Sequence, residues 1–538
     1  MNTLARYGAH GINAVIMFLV IPHIAQASTL EYYGLQSLSA QGLHIVGLIS
    51  LAIGVSYDRF AVEHYAKQDF DAMNGILSAG FMLSLFSASL TLICTVVIVV
   101  FAGSLFPILS NGELLRAARF VFIIGGIATA IHIVAGPWKS PVFIRQRFYL
   151  SSLGDLIATV VSTGGIILLL HATSPSGGIV TIASITIPFI VLWVFLSAGG
   201  RIGSELFVVI PLARRALPQL KISLRKLTSS KQVKTLIRFG GLTVIVQAGY
   251  MLYYGVDSII ISWLDELGKG AIAIYNFAQR WDPQIRMAIT GLVGMLVPVM
   301  TSDWSTGNSK RLQSTQVRAT RYCLIIGLGP CLILGVLAHP FFANWFDPAR
   351  FAHQEFSLQE ILVCVPIVRV ILLALVLSIP GIVAIETLLA CARLKGAAIT
   401  LIIGGIANVF LSIALVKSTN LNLLGIAVAS CVTLSAAFLL VMPALACRAT
   451  KLSPLRLATE GCLRPLLGGL VMIIFCGIML RVWQPTSLPM MIVQLVVCAV
   501  FYAIPVWFIS LNRSDRTKIT QAGLSLRKKL KTISENSV

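Results

Sequence analysis

The sequence predicts an all-α polytopic membrane protein of about fourteen transmembrane helices, arranged as two six-helix bundles and a final pair. Three observations carry this. Of 538 residues, 57% are hydrophobic and only 11% charged, with a mean hydropathy of +0.89; a soluble chain carries roughly 25% charged residues. Apolar runs of about 20 residues, enough to cross the hydrocarbon core once, recur from end to end. Lys and Arg alternate between connectors: every second connector from the N-terminus belongs to a set holding 32 of the 41 basic residues.

The expected spans lie near 10–28, 37–57, 76–103, 117–137, 152–172 and 179–199, then 239–263, 271–300, 322–345, 358–391, 397–416 and 424–446, and finally 464–483 and 488–510. Arg6, the 12–21 run and Ala25-Gln26-Ala27 have the outline of a signal peptide, but Pro22-His23 interrupts it and similar spans follow, so it is kept as the first span. Basic connectors stay in the cytoplasm. The alternation therefore places both termini in the cytoplasm, and the even span count agrees. This gives a bundle over 1–200, a basic cytoplasmic connector over 201–238, a second bundle over 239–450, helices 13 and 14 over 451–510, and a basic cytoplasmic tail over 511–538. Within the connector, Leu206-Phe207-Val208-Val209-Ile210 is expected along the membrane surface beside anionic lipid head groups, and Leu526-Arg527-Lys528-Lys529-Leu530-Lys531 forms a basic amphipathic helix on the same leaflet. The outward connectors are expected to be short, the longest about 13 residues around 104–116, too short for a separate domain.

The formal charge of +21 has its origin in those connectors and does not indicate nucleic acid. Ten cysteines form no Cys-x-x-Cys pair and read as small buried residues, so no metal or disulfide framework is expected. The chain has no phosphate-binding Gly-x-x-x-x-Gly-Lys-[Ser/Thr] loop, no Gly-x-Ser-x-Gly elbow and no His-Glu-x-x-His pair. The acids on the outward side are isolated. The expectation is a transporter, not an enzyme, with no cofactor.

Charge at membrane depth is the remaining signal. Asp257, Arg280, Asp282 and Arg286 fall in spans seven and eight, where each ionised group costs several kcal/mol. Counting in from the outer edge at about 1.5 Å per residue, Asp257 is roughly 8 Å deep, Arg280 roughly 14 Å and Arg286 roughly 22 Å. Asp257 and Arg280 are thereby expected to pair across adjacent helices. Asp282 and Arg286 share one helix face at i,i+4, and Pro283 removes a backbone hydrogen bond, putting a kink inside the cluster. A weaker group lies in span ten: Arg369 between prolines, and Glu386 near the far end. Two readings stay open. One is an ion-pair network that pins helices together; the other is a cationic lining for an anionic substrate, with one acid titrating during transport.

Three stretches occur in order: 254–261 (Tyr-Gly-Val-Asp-Ser-Ile-Ile-Ile), 274–280 (Ile-Tyr-Asn-Phe-Ala-Gln-Arg) and 296–300 (Leu-Val-Pro-Val-Met). With Glu31-Tyr32-Tyr33-Gly34, Arg59-Phe60-Ala61 and Leu424-Gly425-Ile426-Ala427, they resemble bacterial polysaccharide/O-antigen (Wzx-type) flippases of the multidrug/oligosaccharidyl-lipid/polysaccharide transporter superfamily. The likeness covers about residues 10 to 450. It implies a MATE-like fold of two bundles that rock around a cationic cavity. It further implies a cargo of oligosaccharide repeat units on an undecaprenyl-pyrophosphate carrier, flipped from inner to outer leaflet with other polysaccharide-assembly proteins as partners. Arg280, Arg286 and Arg369 would then meet the pyrophosphate, since guanidinium suits phosphate oxygens. Asp257, Asp282 and Glu386 would serve coupling to a proton or sodium gradient, or ion pairing. A drug or metabolite:cation antiporter, a lipid II flippase, and a membrane glycosyltransferase or polymerase are the alternatives.

Overall fold

The computed structural model describes residues 2–109, 112–173, 177–182, 185–223, 230–347, 356–517 and 520–521. The expected tail helix at 526–531, and the connector residues Arg225 and Lys226, lie outside them. Twelve of the described helices are long and apolar enough to cross a membrane. The first, α1 (Asn2–Ala66), contains two of the expected spans. Its 65 residues would run about 97 Å as one straight rod, roughly three bilayer cores. The ladder is interrupted at Thr29, whose φ of 58° and ψ of 163° are not helical. The loop expected after the first span is therefore reduced to one residue; Leu30 and Tyr33 are buried and helical.

α2 (Phe70–Leu105), α3 (Gly112–Ile144) and α4 (Tyr149–Thr173) follow. The sixth span does not begin at 179 as expected. Two antiparallel strands pair there instead, β1 (Ile179–Ile182) with β2 (Ile185–Pro188). The run is rich in β-branched residues, which fit a pleated ribbon better than a helix. Gly178 leads into it at φ +76°, and a Cβ there would lie 2.8 Å from the Ser28 carbonyl oxygen, so the approach requires glycine. This outward connector is thus longer and more structured than the sequence suggests.

α5 (Phe189–Ala216) corrects a second expectation. The Leu206–Ile210 run is not a separate surface helix; it continues the sixth crossing helix through a π-turn at Glu205–Val209. The chain then turns back along α2. Asn74 clamps it, its Nδ2 donating to the Gln219 carbonyl (3.0 Å) and its Oδ1 accepting from the Lys221 amide (2.9 Å). Leu217 closes a core with Tyr57, Met73, Leu77 and Leu236. The next helix, α6 (Ser230–Tyr254), starts nine residues before the expected span at 239.

The second half continues with α7 (Asp257–Ser262), α8 (Ala271–Gln279), α9 (Trp281–Ser305), α10 (Ser309–Val336), α11 (Ala338–Trp345), α12 (Leu358–Ala390), α13 (Lys395–Ser418), α14 (Leu423–Thr450), α15 (Pro454–Val482) and α16 (Leu488–Ser510). The expected seventh span corresponds to α6 and α7. Large apolar side chains such as Phe86, Ile93, Val100, Leu168, Ile474 and Val500 are more than half exposed, the surface of helices solvated by lipid.

Two compact units emerge from the contacts, and they do not follow the boundary at 201–238. The first comprises Met1–Arg280, Phe346–Ile367 and Leu401–Thr433; the second comprises Trp281–Trp345, Val368–Thr400 and Leu434–Val538. Two of the divisions fall at helix breaks, at Arg280 and at the π-turn after Leu434. In the first unit a buried polar knot joins α6, α13 and α14. Asn408 Nδ2 donates to the Leu252 carbonyl (3.3 Å), and its Oδ1 accepts from Ser430 (3.2 Å) and Thr433 (3.1 Å).

Candidate functional site

The charged stretch is organised by helix breaks. α6 ends at Tyr254, and after Gly255 and Val256 a new helix starts at Asp257. Asp257 is 1% exposed. Its Oδ2 accepts from Tyr275 Oη (3.0 Å) and Gln279 Nε2 (2.8 Å), and the neighbouring Ser258 amide donates to Gln41 Oε1 (2.8 Å). The expected Asp257–Arg280 pair does not form. Tyr275 and Gln279 are spaced i,i+4 and present one face of α8 to the carboxylate, whereas Arg280 is about 100° further round.

Arg280 stands at the junction of α8 and α9, three residues before Pro283. Proline has no N–H to offer the preceding turn, and the helix is interrupted there as its position predicts. The Arg280 side chain is half-buried and has no ion pair among the described residues. Its guanidinium is near enough to act electrostatically on the buried Tyr33 hydroxyl. Tyr33 in turn packs on Phe277 (4.8 Å between centroids) and Trp193 (5.5 Å).

In the second unit, Asp282 and Arg286 form an i,i+4 ion pair of nearly bidentate geometry. Arg286 Nη2 donates to Asp282 Oδ1 at 2.7 Å and Nε to Oδ2 at 3.1 Å. The side chains are 17% and 10% exposed. Trp281, one residue earlier, packs edge-on against Phe341 (5.1 Å) and Trp345 (5.4 Å). Glu386 is half-buried in α12 and has no ion-pair partner among the described residues.

Arg369 is exposed, and its Nε donates to the Gly335 carbonyl at 3.0 Å. Gly335 is in the last turn of α10, where carbonyls lack helical partners and the dipole favours a cation. This contact satisfies one N–H and gives Arg369 the role of a helix cap.

Two charge centres were not singled out from the sequence. In the first unit, Glu205 meets His132, Lys139 and Arg201. In the second, Arg321 and Asp515 pair at 2.5 Å with 3% and 0% exposure. Arg321 also donates to the Glu460 carbonyl (2.9 and 2.7 Å), and Tyr322 Oη donates to Asp515 Oδ1 (2.9 Å). The first residues of the tail are therefore anchored. No local signal announces either centre: the partners are 73 and 194 positions apart. Among the described residues no group of three or more His, Cys, Asp or Glu could hold a metal ion.

The chain is multi-pass, and the charged stretch around Arg280 sits at breaks in its helices. The comparisons agree on the fold. No family model matches the sequence. The chain is 22% identical over 438 residues to the uncharacterized membrane protein EpsK of Bacillus subtilis (strain 168), covering 81% of this chain and 80% of that protein. Lipid II flippase MurJ, in an inward closed conformation, superposes with a TM-score of 0.65 at 14% identity, over 93% of this chain and 97% of MurJ. An inward-facing multidrug resistance MATE family transporter of the MOP superfamily gives 0.63 at 16% identity, covering 84% of this chain and 99% of that one. A MOP superfamily transporter from Pyrococcus furiosus gives 0.58 at 15% identity, over 85% and 95% respectively. The chain shares its fold with these three proteins.

Proposed function

We propose that the chain flips lipid-linked oligosaccharide repeat units, carried on undecaprenyl pyrophosphate, from the inner to the outer leaflet of the cytoplasmic membrane for surface polysaccharide synthesis. One observation carries the reading: Arg280, roughly 14 Å in from the start of α8 and at a helix break, has no carboxylate partner among the described residues. An arginine at membrane depth needs an anion or water, and a pyrophosphate offers oxygens spaced for a guanidinium fork. Arg286 neutralises Asp282 at rest and is a second candidate contact. The acyl tail stays in lipid while the charged head crosses through protein, so alternating access to these arginines is sufficient. With no nucleotide-binding loop in the chain, the work is assigned to a proton or sodium gradient.

The test is complementation. In a strain lacking the protein, Arg280→Ala is expected to leave protein levels normal and to lower outer-leaflet delivery of lipid-linked repeat units at least tenfold. Normal delivery would remove Arg280 from the mechanism. A second reading, lipid II as cargo, draws support from the MurJ fold match over nearly the whole chain. Both cargoes share the carrier; arrest of cell-wall growth on depletion, with surface polysaccharide intact, would favour lipid II.

A further inference from the structure

The centre around Glu205 lies away from the arginines of the proposed cargo path in sequence, and its geometry has chemistry of its own. His132 is about 30 Å along α3 from its start, near the turn into the short Pro141–Ile144 segment. Its Nδ1 is 2.6 Å from Glu205 Oε1. An ionised carboxylate only accepts, so Nδ1 carries the hydrogen and donates. That assignment leaves the Nε2 lone pair as the vacant position. Among the described residues Nε2 has no hydrogen-bond partner, and the side chain is 40% exposed. Lys139 Nζ lies 3.2 Å from the same Oε1 and 3.3 Å from Nδ1. One carboxylate oxygen therefore serves two donors at once, while Arg201 approaches it only at 3.8 Å.

We infer that His132 is a proton-binding site, with Glu205 holding the ring in the receptive tautomer and Lys139 competing for the same oxygen. A proton from the aqueous phase adds to the Nε2 lone pair and no covalent bond breaks. The product is an imidazolium beside the Lys139 ammonium, with a single Oε1 between them. Two cations at this separation repel, and the imidazolium, now fully charged, keeps the shorter contact. Lys139 is displaced, and Glu205 on α5 keeps only one of its two close contacts to α3. The other charged groups facing the centre do not neutralise the added charge in its place. Asp155 on α4 acts on Lys139 from a distance. Asp58 on α1 accepts from Ser140 Oγ at 2.6 Å. Arg214 on α5 stacks over Trp138 at 4.4 Å. That proton loading here drives transport rests on the flippase reading above; the proton site itself does not.

Two measurements separate them. In the first, full-length protein labelled with nitrogen-15 histidine is titrated by NMR, and the spectrum of His132→Gln is subtracted to isolate His132. Glu205→Gln is expected to lower its titration midpoint by about one pH unit, a tenfold loss of proton affinity, and Lys139→Met to raise it by about half a unit. No titration of His132 between pH 4 and 9, or midpoints unmoved in both variants, would overturn the site. In the second, proteoliposomes carry an undecaprenyl-pyrophosphate-linked oligosaccharide with a quenchable fluorophore. An imposed pH gradient should accelerate flipping by wild type at least fivefold and leave His132→Gln at its gradient-free rate. Equal acceleration in the variant refutes coupling through His132. Failure of wild type to move the probe counts against the flippase reading, and the NMR titration still decides the site.

Discussion

Two of the three arginine–aspartate pairs among the described residues of the second unit differ in nearly every respect. Arg321 and Asp515 are sealed, 3% and 0% exposed, with Tyr322 and the Glu460 carbonyl completing the shell. Arg286 and Asp282 stay 17% and 10% exposed, at the start of a helix whose previous turn is broken. A sealed pair with its hydrogen bonds satisfied has no capacity left for a ligand and works as a clamp. A pair left partly open can exchange its partner for an anion that enters. The same residue types thus serve opposite ends, and enclosure separates them.

Four single substitutions and one double replacement test this contrast, the single ones ranked by expected stability loss. Asp515→Ala strands a buried guanidinium and should cost about 3–5 kcal/mol, read as a large drop in melting temperature in detergent. Combined replacement by Arg321→Met and Asp515→Leu should recover most of that loss, because two apolar groups leave no orphan charge. If the single variant melts like wild type, the clamp reading fails. Arg286→Ala removes charge-assisted hydrogen bonds and should cost about 1.5–3 kcal/mol, with a fall in lipid-linked substrate delivery beyond what protein level explains. Arg280→Ala should change stability by less than about 1 kcal/mol, since it breaks no ion pair, and its effect should appear in transport. A large melting shift there would make Arg280 structural. Arg456 and Glu460 form an exposed i,i+4 pair at 3.2 Å, 46% and 50% accessible. Arg456→Ala should cost below about 0.5 kcal/mol in the same melt.

Much of the architecture was legible in advance because hydropathy and periodicity are sums over neighbouring residues. The apolar runs, the break before Pro283 and the shared face of Asp282 and Arg286 all follow from local rules. The misreadings also have local causes. Residues 179–188 are as apolar as a span, and only their β-branching and the two preceding glycines mark a pair of strands. Gly199, Gly200 and Arg201 resemble a helix end, yet α5 runs on because packing against α3 and α4 outweighs the roughly 1 kcal/mol cost of each glycine. Asp257 and Arg280 had expected depths close enough to pair, but depth says nothing of azimuth, and the carboxylate faces Tyr275 and Gln279.

By itself, the sequence determined that this chain lives in a membrane, that it crosses many times, and that Asp282 and Arg286 share one helix face. Those properties depend on composition and on distance along a helix. Tertiary structure alone decided which charges pair across long stretches of chain. Glu205 with His132, and Arg321 with Asp515, join positions far apart in the chain. Arg369 became a helix cap because the carbonyl end of α10 lies beside it. A charge in lipid must find a partner, but the partner is whatever folding brings within about 3 Å.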